Sequence, residues 1–230
     1  MKKELILYHG SANIIKTPIY GYGKKNNDFG LGFYCTKELE LAKEWACSSL
    51  SDGFANKYSI NLDGLNILDL TSNDYNILNW ITLLVTHRIF RIKNPIAARA
   101  IRYLKENFYV DVEAYDIIIG YRADDSYFDF AEAFLNNSIN VNELSTALKL
   151  GKLGKQFVVK SEYAFSKLNF LGYEHALNHT YYVKRKARND EACKNYYEIL
   201  QKNSKGLYIN DIIEGGVKNN DSRIPRNDNK

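Results

Sequence analysis

Cysteine, proline and histidine are all scarce in this chain of 230 residues. The three cysteines, Cys35, Cys47 and Cys193, are odd in number and widely spaced. They form no disulfide framework, and with four histidines that never pair at ligand spacing they form no closed zinc site. This predicts a reducing, cytoplasmic setting and no metal. No run approaches the ~20 apolar residues of a membrane span. Met1-Lys2-Lys3-Glu4 leads into only a few apolar residues before Tyr8-His9-Gly10, short of a secretory signal. The expectation is a protein neither secreted by the usual route nor embedded in a membrane. Excess charge is also small. Thirty-one basic against 27 acidic residues leave +4, too mild to identify a nucleic-acid partner or to exclude one.

Aromatic residues are what the chain does have. Eighteen Tyr, 11 Phe and two Trp supply ample surface to bury, which rules out disorder of the whole chain. Residues 4–8 predict a strand ending at His9-Gly10-Ser11, and residues 12–30 a loop. Gly32-Phe33-Tyr34-Cys35 predicts a short strand, with Thr36 as N-cap of a helix running from Lys37 to about Leu50. Residues 56–61 and 65–70 read as a hairpin around Asp63-Gly64. A helical insert follows at about 72–110, its second helix opened by Asn94-Pro95. Tyr115–Ile119 predicts a buried strand broken by Gly120, and helices are expected at 127–136 and 141–150. Gln156–Lys160, 169–174 and 179–185 read as strands, Ser161 as the cap of a helical turn at Glu162–Lys167, and 188–203 as a polar helix. From about Gly215 the Asn-, Asp-, Arg- and Lys-rich tail predicts disorder. Strands and helices are mixed rather than alternating, which argues for an α+β fold.

Three stretches carry candidate chemistry. In Tyr8-His9-Gly10-Ser11, a lone His is ordinarily a satisfied residue. Yet Gly10 would let a flat ligand reach the backbone and Ser11 adds a hydroxyl, a set suited to a carboxamide. In Asp28-Phe29-Gly30-Leu31-Gly32-Phe33-Tyr34-Cys35-Thr36, the glycines are turn punctuation or a ligand approach. They are no dinucleotide fingerprint, because a third spaced glycine is missing and a strand follows. Tyr34 can stack on a planar ring or pack in the core. Gln156, leading an alternating strand, taken alone reads as an edge residue.

Together these stretches resemble the ADP-ribosyltransferases of the poly(ADP-ribose) polymerase and diphtheria-toxin type. Those pair a strand ending in His-Gly-Ser with a Phe-Gly-x-Gly-aromatic-Tyr strand, an Ala-containing helix (Ala42 here) and a late strand with the catalytic position. The chain is more closely similar to a family of small bacterial domains of formerly unknown function. Its pattern of Tyr-His-Gly-Ser, Asp-Phe-Gly-x-Gly-Phe-Tyr-x-Thr, Ala-Asp-Asp and a late Gln strand occurs here at 8–11, 28–36, 123–125 and 156–161. The resemblance covers roughly residues 4–172.

It implies an α+β ADP-ribosyltransferase-like fold of two packed, mainly antiparallel sheets with the insert at about 72–110. An extension at 173–214 would pack on this domain, followed by a disordered 215–230. It implies an enzyme that takes NAD+ as substrate and transfers ADP-ribose to an intracellular macromolecule, protein or nucleic acid. Such a protein would serve as a toxin or phage-defence effector, with a neutralising antitoxin protein as a possible partner. The alternatives are an NAD+ glycohydrolase and an inactive NAD+ or ADP-ribose binding module. Gly10 would pin the carboxamide with Ser11 in support, His9 would reach the adenine-side ribose, and Tyr34 would stack on nicotinamide. Asp28, Phe29, Gly30, Gly32, Phe33 and Thr36 would complete the NAD+ site. The related enzymes begin the late strand with Glu; here Gln156 stands there, and an amide carries no charge. Asp124 and Asp125 are the expected substitutes, Asp125 preferred, unless the pair caps the helix after it. The insert's His87, Arg88, Arg91, Lys93, Arg99, Arg102 and Lys105 are a solvated face or contacts to phosphate. Lys184-Arg185-Lys186-Ala187-Arg188 is a basic strand end or a nucleic-acid grip.

Overall fold

In a computed structural model, residues 4–90, 92, 94–123, 125–147, 154–201 and 205–227 are described, with the side chains of 125–127 and 199 left aside. The strands are β1 (Glu4–Ser11), β2 (Phe33–Thr36), β3 (Gly53–Asn61), β4 (Ile67–Asp69), β5 (Ile117–Tyr121), β6 (Lys155–Val159) and β7 (Leu168–Ala176). The helices are α1 (Leu39–Ala46), α2 (Ile77–His87), α3 (Pro95–Asn107), α4 (Asp125–Leu135), α5 (Val141–Ala147), α6 (Glu162–Ser166), α7 (Asn178–Gln201) and α8 (Ile209–Glu214). None of the helices among the described residues is long and apolar enough to cross a membrane.

The class is α+β, but the two sheets expected are one seven-stranded mixed sheet, ordered β4-β5-β6-β2-β1-β3-β7. The pair β4–β5 is parallel and the other pairs are antiparallel. The sheet is nearly divided at its centre, because β1 and β2 are paired at a single register, Tyr8 with Thr36. Side-chain alternation along β2 and β6 fixes which face each residue serves. Phe33 and Cys35 oppose Val159 and Phe157, and all four belong to a smaller core with Leu7, Tyr58 and Ile60. Tyr34 and Thr36 oppose Val158 and Gln156 on the other face, above the larger core built from Phe29, α2, α3, α4 and α5.

Several local expectations are corrected. The hairpin around Asp63-Gly64 does not form. β3 is already paired on both sides by β1 and β7, and β4 instead joins the apolar β5 in parallel, through the α2–α3 crossover that a parallel pair requires. The 72–110 segment is therefore integral to the fold. In α2, Ile77 to Val85 are all buried, and Asn76 and Asn79 close a reciprocal capping box at its start. Gly120 does not break β5 but lies within it, where a Cβ would meet the Phe29 ring at 2.5 Å. Thr36 is not the cap of α1, which begins at Leu39 with Glu38 at the cap position, although the Thr36 hydroxyl accepts the Glu38 N–H at 3.2 Å. Residues 179–185 are helix, not strand. Tyr181, Lys184 and Arg188 recur at helical spacing, so Tyr181 packs near Ala46 and Cys47, and the two cations meet Glu40 and Glu44 of α1 at 3.1 and 2.6 Å. Nor does the chain trail off from Gly215 as far as it is described, to residue 227; 228–230 of the expected tail lie outside the described residues. Val217, Ile224 and Asn227 are buried, and Arg226 bridges Asn76.

α1 lies directly across β1 and β3 because both strands present glycine there. A Cβ on Gly10 would stand 2.0 Å from the Ala42 carbonyl oxygen, and one on Gly53 2.2 Å from that of Ala46. Backbone cannot swing aside as a side-chain tip can. Gly10→Ala is therefore expected to lower stability in urea denaturation by roughly 3 kcal/mol or more; a variant as stable as the parent would contradict this packing.

Candidate functional site

A cleft of about 350 Å³ opens where β1 and β2 part, a volume within the range of small-ligand sites. His9, Phe33, Tyr34 and Gln156 line it together, although the first two serve one face of the sheet and the last two the other. The division between β1 and β2 lets them meet. His9 bridges the gap: its Nδ1 lies 2.7 Å from the Tyr34 carbonyl oxygen and its ring stacks on Phe33 at 4.3 Å. A carbonyl only accepts, so Nδ1 carries the proton, and in the neutral ring Nε2 is left as an acceptor. Burial holds the His9 pKa below its ordinary value, the Tyr34 contact opposing that shift in part.

Loop 12–32 forms a second wall, with Ile15, Pro18, Ile19, Tyr22 and Gly23. Its start is tied down by the buried Asn56 on β3, whose Oδ1 accepts the Ile15 N–H at 2.9 Å and whose Nδ2 reaches the Asn13 carbonyl at 3.1 Å. The Tyr58 hydroxyl also donates to the Ile15 carbonyl. The loop's end is a turn with Gly30 at φ 74°, a conformation that favours glycine. Tyr34 clasps that turn: its hydroxyl accepts the Phe29 N–H at 3.0 Å and donates to the Gly30 carbonyl at 2.6 Å. Burial drives the Tyr34 phenol well above its ordinary pKa. The nearly buried Lys160 ammonium also donates to the Phe29 carbonyl, at 3.2 Å, and pairs with Glu113 at 2.7 Å.

Asp28 is the acid in the cleft wall, and it is almost fully buried. Its Oδ2 accepts from Gln156 Nε2 at 2.9 Å and from the Ala123 N–H at 3.0 Å, while Oδ1 lies 3.4 Å from Arg88 Nε. Gln156 Nε2 also donates to the Tyr121 carbonyl at 3.2 Å, an oxygen that Trp80 Nε1 fixes from below at 3.0 Å. Arg88 and Arg122 add two cations to the lining, and Arg122 lies over the Trp45 ring at 3.9 Å.

The predicted residues thus divide. His9, Asp28, Gly32, Phe33, Tyr34 and Gln156 line the cleft. Gly10 does not; its bare face is turned to α1 and serves packing. Ser11, the last residue of β1, is half-buried; its hydroxyl donates to the Asn13 carbonyl and accepts from Asn56 Nδ2 of β3. Phe29 is a core residue beneath Gly120, Gly30 shapes the turn against His87, and Thr36 is buried behind the site. Of the expected acids, Asp124 lies outside the described residues, and Asp125 is the first residue of α4. Arg88 reaches the cleft from the 72–110 segment, whereas Arg99, Arg102 and Lys105 lie on the solvated face of α3; Arg91 and Lys93 lie outside the described residues. The basic run at 184–188 spends Lys184 and Arg188 on α1. The sequence reading missed Asn56, Arg122 and the apolar wall of loop 12–32. Ile15, Ile19 and Tyr22, recurring in a loop rich in glycine, lysine and asparagine, were the available signal.

Two half-buried histidines give a pH signature. His9 and His87 both have pKa values held below 6.5 by burial. Unfolding lets each take up a proton more readily, so their contribution is complete above about pH 6.5 and declines as the pH falls below it. Thermal melts from pH 8 to 5 should show stability falling below about 6.5. His9→Asn, which keeps a donor for the Tyr34 carbonyl but cannot titrate there, should flatten that fall; an unchanged profile would contradict the assignment.

Against known protein families, residues 5–170 match one described as a protein of unknown function, DUF3990. No curated protein and no solved structure matches. The matched span runs from β1 to the start of β7 and so takes in every residue that lines the cleft. With well over half of its length matched, the chain belongs to the DUF3990 family.

Proposed function

We propose that the chain is an NAD+-dependent ADP-ribosyltransferase, with an ADP-ribosyltransferase-like sheet and the substrate held in the cleft between β1 and β2. The observation that carries this reading is the meeting of His9, Tyr34 and Gln156 in one cleft, from three strands far apart in sequence. Transfer of ADP-ribose breaks the bond between nicotinamide and ribose through a cation-like transition state, so the pocket must hold the base, orient the ribose and exclude water. Tyr34 and the His9–Phe33 stack offer ring faces for a planar base. His9 Nε2 and the Gln156 carboxamide offer acceptors for ribose hydroxyls, and Arg88 and Arg122 complement a diphosphate. The acceptor is an intracellular macromolecule, protein or nucleic acid.

Action as a toxin or phage-defence effector, countered by a neutralising protein, belongs to the same proposal. Expression should then arrest growth, and Gln156→Ala should relieve the arrest.

Labelled NAD+ incubated with the protein and cell lysate should yield labelled polymer. Loss of that label to nuclease or to protease identifies the acceptor class, and nicotinamide release with no labelled polymer identifies a glycohydrolase instead. Neither release nor labelling would overturn the proposal. In calorimetric titration, Tyr34→Ala should weaken NAD+ binding by about five-fold or more through loss of a stacking face. Tyr34→Phe keeps the ring and should bind more tightly than Tyr34→Ala. Equal affinity of parent and folded Tyr34→Ala would remove Tyr34 from the site.

A further inference from the structure

We infer that Asp28 is a positioning residue that locks the Gln156 carboxamide with its oxygen towards the cleft, so that position 156 recognises a ligand hydroxyl by accepting its proton. The inference rests on reading the cleft as an ADP-ribosyl-transfer site, in which that hydroxyl belongs to the ribose being cleaved.

The orientation follows from the chemistry of the partners. Gln156 Nε2 lies 2.9 Å from Asp28 Oδ2 and 3.2 Å from the Tyr121 carbonyl oxygen. An ionised carboxylate and a backbone carbonyl both only accept, so both demand the amide nitrogen and neither tolerates the amide oxygen. The two N–H groups are thereby used, and Oε1 is the polar atom left to face the cleft that Gln156 lines. Each partner is itself held. The Ala123 N–H donates to the Asp28 carboxylate at 3.0 Å and the Arg88 guanidinium pairs with it by charge at 3.4 Å, while Trp80 Nε1 at 3.0 Å fixes the Tyr121 carbonyl. A hydrogen bond from the amide to a carboxylate also draws electron density on to Oε1 and makes it a better acceptor.

The same geometry explains why glutamine stands here. A glutamate at 156 would set one carboxylate oxygen against another at 2.9 Å and against a carbonyl oxygen at 3.2 Å, with no donor between them. The negative charge of this site resides on Asp28, one hydrogen bond behind the residue that meets the ligand.

The experiment joins proton exchange at the Gln156 side chain, followed by NMR, to steady-state NAD+ cleavage, read as nicotinamide release. In the parent protein both amide protons should exchange slowly. Asp28→Ala should speed their exchange and lower kcat by about 30-fold with KM for NAD+ little changed, the signature of a group needed in the transition state. Asp28→Asn still offers an acceptor oxygen and should retain kcat within about ten-fold of the parent. Gln156→Glu should be no more active than Gln156→Ala. The inference is overturned if the parent's amide protons exchange as freely as those of an exposed glutamine, a measurement that needs no variant to fold. It is equally overturned if folded Asp28→Ala keeps its kcat or if Gln156→Glu exceeds the parent. A parent that locks its amide yet never cleaves NAD+ overturns the ADP-ribosyl-transfer reading and with it the assigned ligand hydroxyl, while the lock itself stands.

Discussion

Asp28 has lost nearly all contact with water, so its carboxylate must find hydrogen-bond and charge partners within the protein, and the partners it finds decide where separate pieces of chain lie. Through the Ala123 N–H it holds the segment leaving β5, through Gln156 the start of β6, and through Arg88 the end of α2. The next residue, Phe29, inserts into the core against Gly120, worth roughly 1.5–3 kcal/mol for a ring of this size. One polar and one apolar anchor, adjacent in sequence, thus pin the end of the long loop that walls the cleft.

The sheet supplies the opening and the anchors supply the walls. Because β1 and β2 pair at one register only, a continuous sheet acquires an opening at its centre while β1 stays paired to β3 and β2 to β6. His9 spans that opening, and its contact with the Tyr34 carbonyl takes up an oxygen that a longer ladder would have used. The ring that closes the gap is the ring that lines the cleft.

Much of this was legible in the chain. The strand ending at His9, the glycine-rich approach to Tyr34 and the late strand led by Gln156 were all readable from alternation and turn residues, and the three residues do share one cleft. What eluded the sequence was pairing. Residues 65–70 look like the partner of 56–61 because a short Asp-Gly turn separates them, and nothing local reveals that β3 has both edges filled by β1 and β7. Tyr181 and Tyr182 raise the strand propensity of 179–185, and the contacts a helix makes there, Tyr181 near Ala46 and Cys47 and Lys184 with Glu40, lie far away in sequence. Gly10 shows how one residue supports two readings. Its missing side chain was legible as room for a ligand, but the room is taken by α1. The cleft's acid was legible as a residue and hidden as a role, since Asp28 precedes Gln156 by 128 positions and only the fold sets them 2.9 Å apart.

The central claim is that this cleft holds NAD+ with a ribose hydroxyl on the Gln156 carboxamide oxygen. A crystal structure of the protein with a non-cleavable NAD+ analogue tests it most directly. The account predicts the nicotinamide ring beside Tyr34 in the opening between β1 and β2, and a ribose hydroxyl within hydrogen-bonding distance of Gln156 Oε1. An analogue bound elsewhere on the molecule, or one that meets the Gln156 amide nitrogen instead, would contradict it.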